Sequence, residues 1–313
     1  MTRAPIVVAY LDPSDPEPWR RALSRRLPAL DFRVWPDLGD PGEVRYAMAF
    51  RPAEKAFDKL TGLRAILALG AGVEAILGRE DVPVEIPVVK LADEELIREM
   101  TDFVLMNVLR HHRDAPAYAR LQAAKIWRRL PYTPPSARRV GVLGLGNLGA
   151  ASARALAMHR FDVAGWSRTK KTIPSVAAFA GLAELDAFLA RTDILVGLLP
   201  ITEDTRGLLD AARLAKLPVG ASIINAGRGG VIVEADLIAA LASGAISHAS
   251  LDVFETEPLP ADHPFWDMEN VTITPHSASV TDPDSASAFI VAAIEADQAG
   301  RPLPNVAARG RGY

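Results

Sequence analysis

The chain has 313 residues, which is long for one ordinary domain and suits two. Hydrophobic residues make up 49% and charged residues 23% of the sequence, as in globular proteins with packed cores. The net charge of -3 gives no electrostatic reason to expect a nucleic acid or an anionic membrane as partner, and the absence of cysteine excludes disulfides, thiolate catalysis and cysteine-type zinc sites.

The first stretch, MTRAPIVVAYLDPSD, has too short an apolar run for a signal peptide, and no later segment reaches membrane-spanning length. A chain without cysteine also suits a reducing compartment. We therefore expect a soluble, cytoplasmic protein. The six histidines do not gather into a metal-ligating pattern, so we expect no metal site.

In the first hundred residues, short apolar runs alternate with helix-length amphipathic segments. The predicted strands are PIVVAY, FRVWPD, RYAMAF, LRAILALG and IPVVKLA, and the predicted helices are WRRALSRRL and AEKAFDKL. A long helix over EELIREMTDFVLMNVLRHHR follows. Strands that are almost uniformly apolar and separated by helices predict a parallel sheet covered on both faces.

The proline-rich segment RRLPYTPPSARR interrupts this alternation and is predicted to be a surface connection or an interdomain arm. Strand patterns then return at RRVGVLGLG, FDVAGW, TDILVGLLP, ASIINAG, ISHASLDV and VTITP. The last long helix is predicted near DPDSASAFIVAAIEADQAG. The pattern predicts an α/β protein with two domains.

The segment VGVLGLGNLGAASARAL contains Gly144, Gly146 and Gly149 in the G-x-G-x-x-G spacing of dinucleotide sites. The spacing alone is weak evidence, but here it follows a strand pattern and begins a helix pattern. We expect Gly144 to form a tight turn, Gly146 to let a pyrophosphate approach the backbone, and Gly149 to permit close packing of the helix. The alternative is a glycine turn without a ligand.

The pentapeptide SRTKK follows the next predicted strand, where NAD enzymes usually place an acidic residue on the ribose 2′-hydroxyl. Here the chain has Ser167, Arg168, Lys170 and Lys171, and no carboxylate. An arginine can pair with a 2′-phosphate, and one or two charge-assisted hydrogen bonds of about 1.5–3 kcal/mol each would favour NADP over NAD by roughly 10- to 1000-fold. We predict NADP(H) as the preferred cofactor and NAD(H) as the second choice; the alternative is a solvated basic loop.

Three later stretches place candidate reactive side chains after predicted strands, where open α/β sheets bind ligands. They are NAGRGG with Arg228, LDVFETEPLP with Asp252 and Glu257, and TPHSAS with His276. Reduction of a 2-keto acid by hydride transfer needs a cation on the substrate, a proton donor at the carbonyl oxygen and a group that keeps the donor protonated. Arg228, His276 and Glu257 could fill these roles, although each residue taken alone is more often structural.

The order of GLGNLG, NAGRGG, LDVFETEPLP and TPHSAS resembles the D-2-hydroxyacid dehydrogenase family over essentially the whole chain. WSRTKK, LGAGVE and the RGY terminus look most like its glyoxylate/hydroxypyruvate reductase A branch. The resemblance implies that Arg228, Glu257 and His276 are the catalytic set. It also implies a Rossmann-like nucleotide-binding domain over residues 104–283, inserted in a flavodoxin-like substrate-binding domain made of residues 1–103 and 284–313.

The resemblance also implies the rest of the cofactor site, with Asp252 near the nicotinamide. The complete predicted set is Gly144, Gly146, Asn147, Leu148, Gly149, Ser167, Arg168, Lys170, Leu199, Pro200, Thr205, Ala226, Gly227, Asp252, His276 and Ala278. The family is typically dimeric through its nucleotide domains. The segment LQAAKIWRRLPY, with Trp127, corresponds to the arm that similar proteins pack against a partner subunit.

The stretch LALGAGVEAIL contains Gly70, Ala71 and Gly72 at a predicted strand-to-helix turn. Backbone N–H groups there could hold a substrate carboxylate from the side opposite Arg228, or the turn could be a plain tight one. The resemblance favours binding, so Gly70, Ala71, Gly72, Arg228 and His276 form the predicted substrate-binding set. Arg51, at another predicted strand end, is a candidate for selecting acidic substrates.

We therefore expect an NADPH-dependent enzyme that reduces glyoxylate to glycolate and hydroxypyruvate to D-glycerate. Two alternatives stay open: a dehydrogenase of another D-2-hydroxy acid in the same family, and an NAD(P)-binding regulator without turnover. Short-chain dehydrogenase chemistry is disfavoured, because none of the five tyrosines has a lysine four residues later.

Overall fold

Residues 5–308 are described by a computed structural model. The backbone divides into two units: the chain up to Leu96 with the chain from Thr281 onward, and Ile97–Val280. The RGY motif at the C-terminus lies outside the described residues. Which unit binds substrate and which binds nucleotide stays a prediction at this point.

The first unit contains a sheet of five parallel strands. These are β1 (Ile6–Tyr10), β2 (Leu30–Val34), β3 (Tyr46–Ala49), β4 (Ala65–Ala68) and β5 (Val88–Val89), in the order β2-β1-β3-β4-β5. This is the strand order of flavodoxin-like folds, as expected. The helices of this unit are α1 (Glu17–Ser24), α2 (Glu74–Leu77) and α9 (Pro283–Gln298), with the first residues of α3 (Glu94–His112).

Helix α9 belongs to this unit because its apolar face completes the core of the sheet. Trp19 and Leu23 of α1 form one buried cluster with Ile290 and Ile294 of α9 and with Val8 of β1. The alternation of apolar and polar residues near the end of the chain thus identified the last helix correctly.

The segment AEKAFDKL, predicted as a helix, is instead a series of turns over residues 54–59. The N–H of Leu60 bonds to the carbonyl of Phe57, three residues back, at 3.1 Å. Lys55 has a φ of 59°, which an α-helix does not contain. Phe57 and Leu60 are buried, so the apolar spacing reflects burial without a helix.

The second unit contains a sheet of seven parallel strands. They are β6 (Arg139–Leu143), β7 (Asp162–Ser167), β8 (Val176–Ala180), β9 (Ile194–Gly197), β10 (Ala221–Asn225), β11 (Ile246–Leu251) and β12 (Val271–Ile273), in the order β12-β11-β10-β9-β6-β7-β8. Read from β8, the first six follow the Rossmann order, so the predicted fold class is confirmed. Strand β8 was absent from the sequence prediction, because it is a half-exposed edge strand rich in alanine.

The helices of the second unit are the rest of α3, α4 (Ala115–Ala123), α5 (Asn147–Met158), α6 (Gly181–Ala190), α7 (Ala211–Leu214) and α8 (Glu234–Ala242). Across residues 5–308, none of the helices has both the length and the apolar composition needed to cross a membrane. The proline-rich segment is a surface connection inside the second unit, because residues 126–134 form neither helix nor strand and none of them is buried. Pro135–Ala137 form a short 3₁₀ helix before β6.

The strands of the second unit end together. The register aligns Leu143 of β6 with Gly197 of β9, Gly197 with Asn225 of β10, Asn225 with Leu251 of β11, and Leu251 with Ile273 of β12. Because the strands are parallel, the loops that follow these residues emerge side by side at one edge of the sheet. This edge carries the glycine loop and the predicted arginine, glutamate and histidine.

Candidate active site

Two glycines shape the turn between β6 and α5. Gly144 has a φ of +108°, and a Cβ on it would lie 2.7 Å from the backbone oxygen of Leu198. A Cβ on Gly149 would lie 1.8 Å from the carbonyl oxygen of Gly144. Larger residues at either position would clash with backbone atoms, so the loop keeps its shape through close backbone contacts.

Gly146 differs from both, because a Cβ built on it would meet no described atom within 4 Å apart from those of the glycine itself and its two chain neighbours. It is the N-cap of α5 and supplies no side chain to cap the helix, which begins at Asn147 and Leu148. A helix N-terminus behind open space has the geometry that receives a phosphate group.

The loop after β7 carries the predicted 2′-phosphate residues. Ser167 is buried and donates its hydroxyl hydrogen to the carbonyl oxygen of Thr169 at 2.8 Å, so this hydrogen is used within the loop. Arg168 and Lys170 are exposed. Residues 163–183 contain no Asp or Glu, but the exposed Glu184 accepts a hydrogen bond from the N–H of Ala180, the strand partner of Ser167, at 2.6 Å.

Lys171 makes a contact that the sequence did not reveal. Its Nζ donates to the carbonyl oxygen of Leu145 at 2.6 Å, and Leu145 stands between Gly144 and Gly146. The Leu145 side chain is buried and occupies the space over Gly165, where a Cβ would lie 2.7 Å from its Cδ1. The glycine loop is therefore held in two ways: the Leu145 side chain packs over Gly165, and the Leu145 carbonyl oxygen accepts the hydrogen bond from Lys171. The sequence showed only a basic stretch, because the spacing of the lysines does not predict which one bonds to a carbonyl group 26 residues earlier in the chain.

His276 has a φ of 52°, a left-handed conformation that is uncommon for residues other than glycine and costs on the order of 1 kcal/mol. The buried carboxylate of Asp252 stabilises this turn. Its Oδ1 accepts hydrogen bonds from the Thr274 hydroxyl at 2.5 Å and the Ser277 N–H at 2.9 Å, and its Oδ2 accepts from the Ala278 N–H at 3.0 Å. The N–H of His276 donates to the carbonyl of Asp252 at 2.8 Å. Asp252 thus fixes the backbone turn that carries the imidazole.

Glu257 and His276 form the ion-pair geometry that the sequence suggested. Oε2 of Glu257 lies 2.8 Å from Nδ1 of His276, and Oε1 accepts from the N–H of Phe254 at 3.2 Å. A doubly protonated imidazole donates from both ring nitrogens. With Nδ1 directed at the carboxylate, Nε2 can present its proton to a substrate.

Arg228 stands in a loop held by the buried Asn225. The Asn225 Nδ2 donates to the carbonyl of Arg228 at 3.1 Å, and its Oδ1 accepts from the N–H of Gly227 at 3.3 Å. A Cβ on Gly229 would lie 1.9 Å from the carbonyl carbon of Phe254. The arginine loop therefore lies directly on the segment that leads to the glutamate, with no room for a side chain between them.

The predicted cofactor-lining loop follows β9 at the same edge. The Thr205 hydroxyl donates to the carbonyl of Pro200 at 2.7 Å and so closes the loop. A Cβ on Gly227 would lie 2.7 Å from the carbonyl oxygen of Leu199, which brings this loop against the arginine loop. The other two predicted contacts, Ala226 and Ala278, are buried small residues.

In the first unit, Gly70, Ala71 and Gly72 form the bend between β4 and α2. A Cβ on Gly70 would lie 3.1 Å from the ring of Phe50. The guanidinium of Arg51 lies 5.6 Å from the centre of the same ring, and the Arg51 N–H donates to Asp12 at 3.0 Å. Gly70 and Arg51 thus share one edge of the five-stranded sheet. Their contacts with substrate stay a prediction.

The adjacent histidines at the end of α3 are core residues. His111 Nε2 lies 3.0 Å from the Ser250 hydroxyl, and the His112 ring meets Phe161 edge-on, with 5.0 Å between ring centres. Burial, with help from His248 and Arg110, lowers the pKa of His111 to about 4. Within residues 5–308, no three His, Asp or Glu side chains are arranged to hold a metal ion.

Comparison with known proteins identifies relatives over most of the chain. A family model described as D-isomer specific 2-hydroxyacid dehydrogenase, NAD binding domain, matches residues 105–278. The glyoxylate/hydroxypyruvate reductase A of Yersinia enterocolitica is 40% identical over 300 residues, which cover 94% of this chain and 96% of that protein.

Two solved structures are similar over almost their whole length. A D-isomer specific 2-hydroxyacid dehydrogenase from Xanthobacter autotrophicus Py2, in complex with NADPH and MES, has a TM-score of 0.96 and 46% identity, covering 99% of this chain and 100% of the other. An NADPH-dependent glyoxylate/hydroxypyruvate reductase from Sinorhizobium meliloti, in complex with NADP and sulfate, has a TM-score of 0.91 and 38% identity, with coverage of 99% and 100%.

Proposed function

Because the chain belongs to the D-isomer specific 2-hydroxyacid dehydrogenase family, we propose that it reduces small 2-keto acids with NADPH. Glyoxylate would yield glycolate, and hydroxypyruvate would yield D-glycerate. The observation that carries this proposal is the 2.8 Å contact between His276 and Glu257 at the sheet edge that also bears the glycine loop. The identity of the Yersinia relative supports the choice of substrates.

The catalytic roles follow from the chemistry of each side chain. The guanidinium of Arg228 binds the substrate carboxylate and polarises the carbonyl group. Bound NADPH supplies the hydride that reaches the carbonyl carbon. His276 gives the proton on Nε2 to the carbonyl oxygen, while Glu257 holds Nδ1 and stabilises the charged ring. The products are the 2-hydroxy acid and NADP⁺, and the imidazole regains its proton from solvent.

The residues at the strand ends fit NADPH. The open space over Gly146 and the start of α5 suit the pyrophosphate. The exposed Arg168 and Lys170 suit a 2′-phosphate, and the lack of any carboxylate between residues 163 and 183 removes the group that NAD enzymes use on the ribose. NADH is the second-choice cofactor.

The proposal extends to a homodimer. Met106 of α3 and Ile126, Trp127 and Tyr132 of the connection after α4 are exposed large apolar residues, and Trp127 is fully exposed. Exposed large apolar side chains mark interaction sites. We assign the apolar region formed by Ile126, Trp127 and Tyr132 to the contact with a second copy of the chain, and we place the enzyme in the reducing cytoplasm, which suits a sequence without cysteine.

Steady-state kinetics test the reaction. NADPH and NADH oxidation would be followed with glyoxylate, hydroxypyruvate and pyruvate in turn. We expect the highest kcat/KM with NADPH and one of the first two acids. A clear preference for another 2-keto acid would favour the second dehydrogenase hypothesis. NADPH binding without turnover of any 2-keto acid would favour the regulator and contradict the proposal.

A further inference from the structure

Glu234, the first residue of α8, bridges two ends of the segment that contains Glu257. Its Oε1 accepts a hydrogen bond from the N–H of Glu255 at 2.9 Å, two residues before Glu257. Its Oε2 lies 3.3 Å from Nε2 of His263, six residues after Glu257. Only 22% of the Glu234 side chain is exposed, so the carboxylate lies largely within the protein.

The bond to His263 has a defined direction. Nδ1 of His263 accepts a hydrogen bond from the N–H of Phe265 at 3.3 Å, so the ring hydrogen lies on Nε2 and points toward Glu234. The His263 ring also packs on the Phe265 ring, with 4.7 Å between their centres, and Phe265 is buried. His263 is therefore a fixed anchor for the carboxylate.

The opposite side of the segment rests on the arginine loop. A Cβ on Gly229 would lie 1.9 Å from the carbonyl carbon of Phe254, and a Cβ on Gly230 would lie 2.7 Å from Oε2 of Glu255. The connection from β10 to α8 thus contacts the segment twice: at the glycines beside Arg228, and at Glu234. One short connection determines how the arginine and the glutamate lie relative to each other.

We propose that Glu234 is a positioning residue for the reduction, which fixes Glu257 against His276 by clamping the segment on both sides. This inference rests on the proposed function. Glu234 contacts a backbone N–H and an anchored histidine, so it acts through Glu257. Catalytic groups must be held within about 0.5 Å of their productive geometry, and a displacement of about 1 Å can lower the rate by ~10²-fold.

Two substitutions test the clamp. Glu234→Ala removes both bonds, and we expect kcat to fall at least ~10-fold with an unchanged KM for NADPH. Glu234→Gln keeps an oxygen for the Glu255 N–H and should recover part of the lost kcat.

Asp236→Asn is the matched control, because Asp236 lies on the same helix and accepts a backbone hydrogen bond of 2.8 Å from Ala211, away from the glutamate segment. It should leave kcat unchanged. A wild-type kcat in Glu234→Ala would overturn the proposal. So would a loss of kcat that comes with a raised KM for NADPH and is not rescued in Glu234→Gln, since that is the result of a merely structural role.

A crystal structure of Glu234→Ala without cofactor separates this inference from the proposed function. We expect the distance between Glu257 Oε2 and His276 Nδ1 to exceed the 2.8 Å of the wild type, whatever substrate the enzyme uses. An unchanged distance would overturn the clamp even if the wild type reduces 2-keto acids. Should Glu234→Ala fail to fold, Glu234→Gln gives the same comparison.

Discussion

The ammonium group of Lys171 donates a 2.6 Å hydrogen bond to the carbonyl oxygen of Leu145, at the centre of the glycine loop. The contact ties the loop after β7 to the loop that is proposed to bind the pyrophosphate. Both NADPH and NADH contain this pyrophosphate. Lys171 should therefore support the binding of both coenzymes, unlike a residue that contacts the 2′-phosphate.

Lys171→Met should raise the KM for NADPH and for NADH by similar factors of up to ~10-fold, because one charge-assisted bond is lost at a partly solvated site. Lys170→Met is the control, since it removes the same charge from the neighbouring exposed position. Lys170→Met should raise the KM for NADPH more than the KM for NADH. Steady-state kinetics with both coenzymes would decide. A loss confined to NADPH in Lys171→Met would show that the ammonium binds the 2′-phosphate and does not support the loop.

Arg168→Ala should weaken the binding of NADPH at least ~10-fold and change the binding of NADH by no more than about twofold. The reason is that only NADPH has the 2′-phosphate with which a guanidinium can pair. Arg160→Ala is a suitable comparison, since Arg160 follows the C-terminal end of α5, the end remote from the glycine loop. Arg160→Ala should leave the binding of both coenzymes unchanged. Equal losses for both coenzymes in Arg168→Ala would contradict the assignment of the 2′-phosphate site.

His276→Asn should lower kcat by at least ~10²-fold, since it removes the proposed proton donor. Glu257→Gln should lower kcat less, because the ring stays but loses its charged partner. NADPH affinity, measured by fluorescence titration, should stay unchanged in Glu257→Gln, because Glu257 is not among the predicted cofactor contacts. A kcat near that of the wild type for His276→Asn would remove this residue from the mechanism.

The buried His111 should make stability fall in mildly acidic solution. Burial lowers its pKa to about 4 in the folded state, below the ordinary 6.5, so the unfolded chain binds a proton first as the pH falls. The stability contribution is fully present above about pH 6.5 and is lost progressively down to about pH 4. At about pH 5 the loss corresponds to roughly 2 kcal/mol.

His111→Gln removes this titration, so its thermal midpoint should fall less between about pH 7.5 and about pH 5 than that of the wild type. The pKa of His248 is also lowered by burial and by Arg120, so part of the pH dependence should remain. His159→Gln, at an exposed position, is the control and should follow the wild type. Identical pH dependence in His111→Gln and the wild type would refute the expectation.

Trp127→Asp should shift the protein toward the monomer in sedimentation velocity experiments, because it places a charge in the apolar region assigned to the second copy. Val219 provides a matched control, since it is an apolar residue with 90% exposure outside that region. Val219→Asp should leave the association state unchanged. A wild-type protein that is monomeric at all concentrations would contradict the dimer assignment.

Most of the architecture could be predicted from local patterns. Within residues 5–308, eleven of the twelve strands and the long helices α3 and α9 agree with apolar runs and periodicity in the sequence. The helix predicted over AEKAFDKL was wrong, because Phe57 and Leu60 are buried by turns at a helix-like spacing. The edge strand β8 was missed because half-exposed alanines carry little apolar signal.

Motif spacing located the glycine loop and the three candidate catalytic residues, because each lies in a loop that follows a strand and parallel strands end at a common edge. It could not find Lys171, Asp252 or Glu234 in their present roles. These side chains act on backbone groups that are far away along the chain, and a hydrogen bond of this kind leaves no periodic trace. Long-range polar contacts form only after the strands have brought their loops together.

The amino-acid sequence by itself determined the two parallel sheets, the glycine turn and the basic character of the loop after β7, since these depend on local spacing, burial and charge. The tertiary structure alone decided which lysine reaches Leu145, how Asp252 turns His276 into a left-handed conformation, and that Glu234 clamps the segment around Glu257. The reason is physical: these contacts depend on distances of about 3 Å between groups whose separation is set by the packing of neighbouring strands and loops.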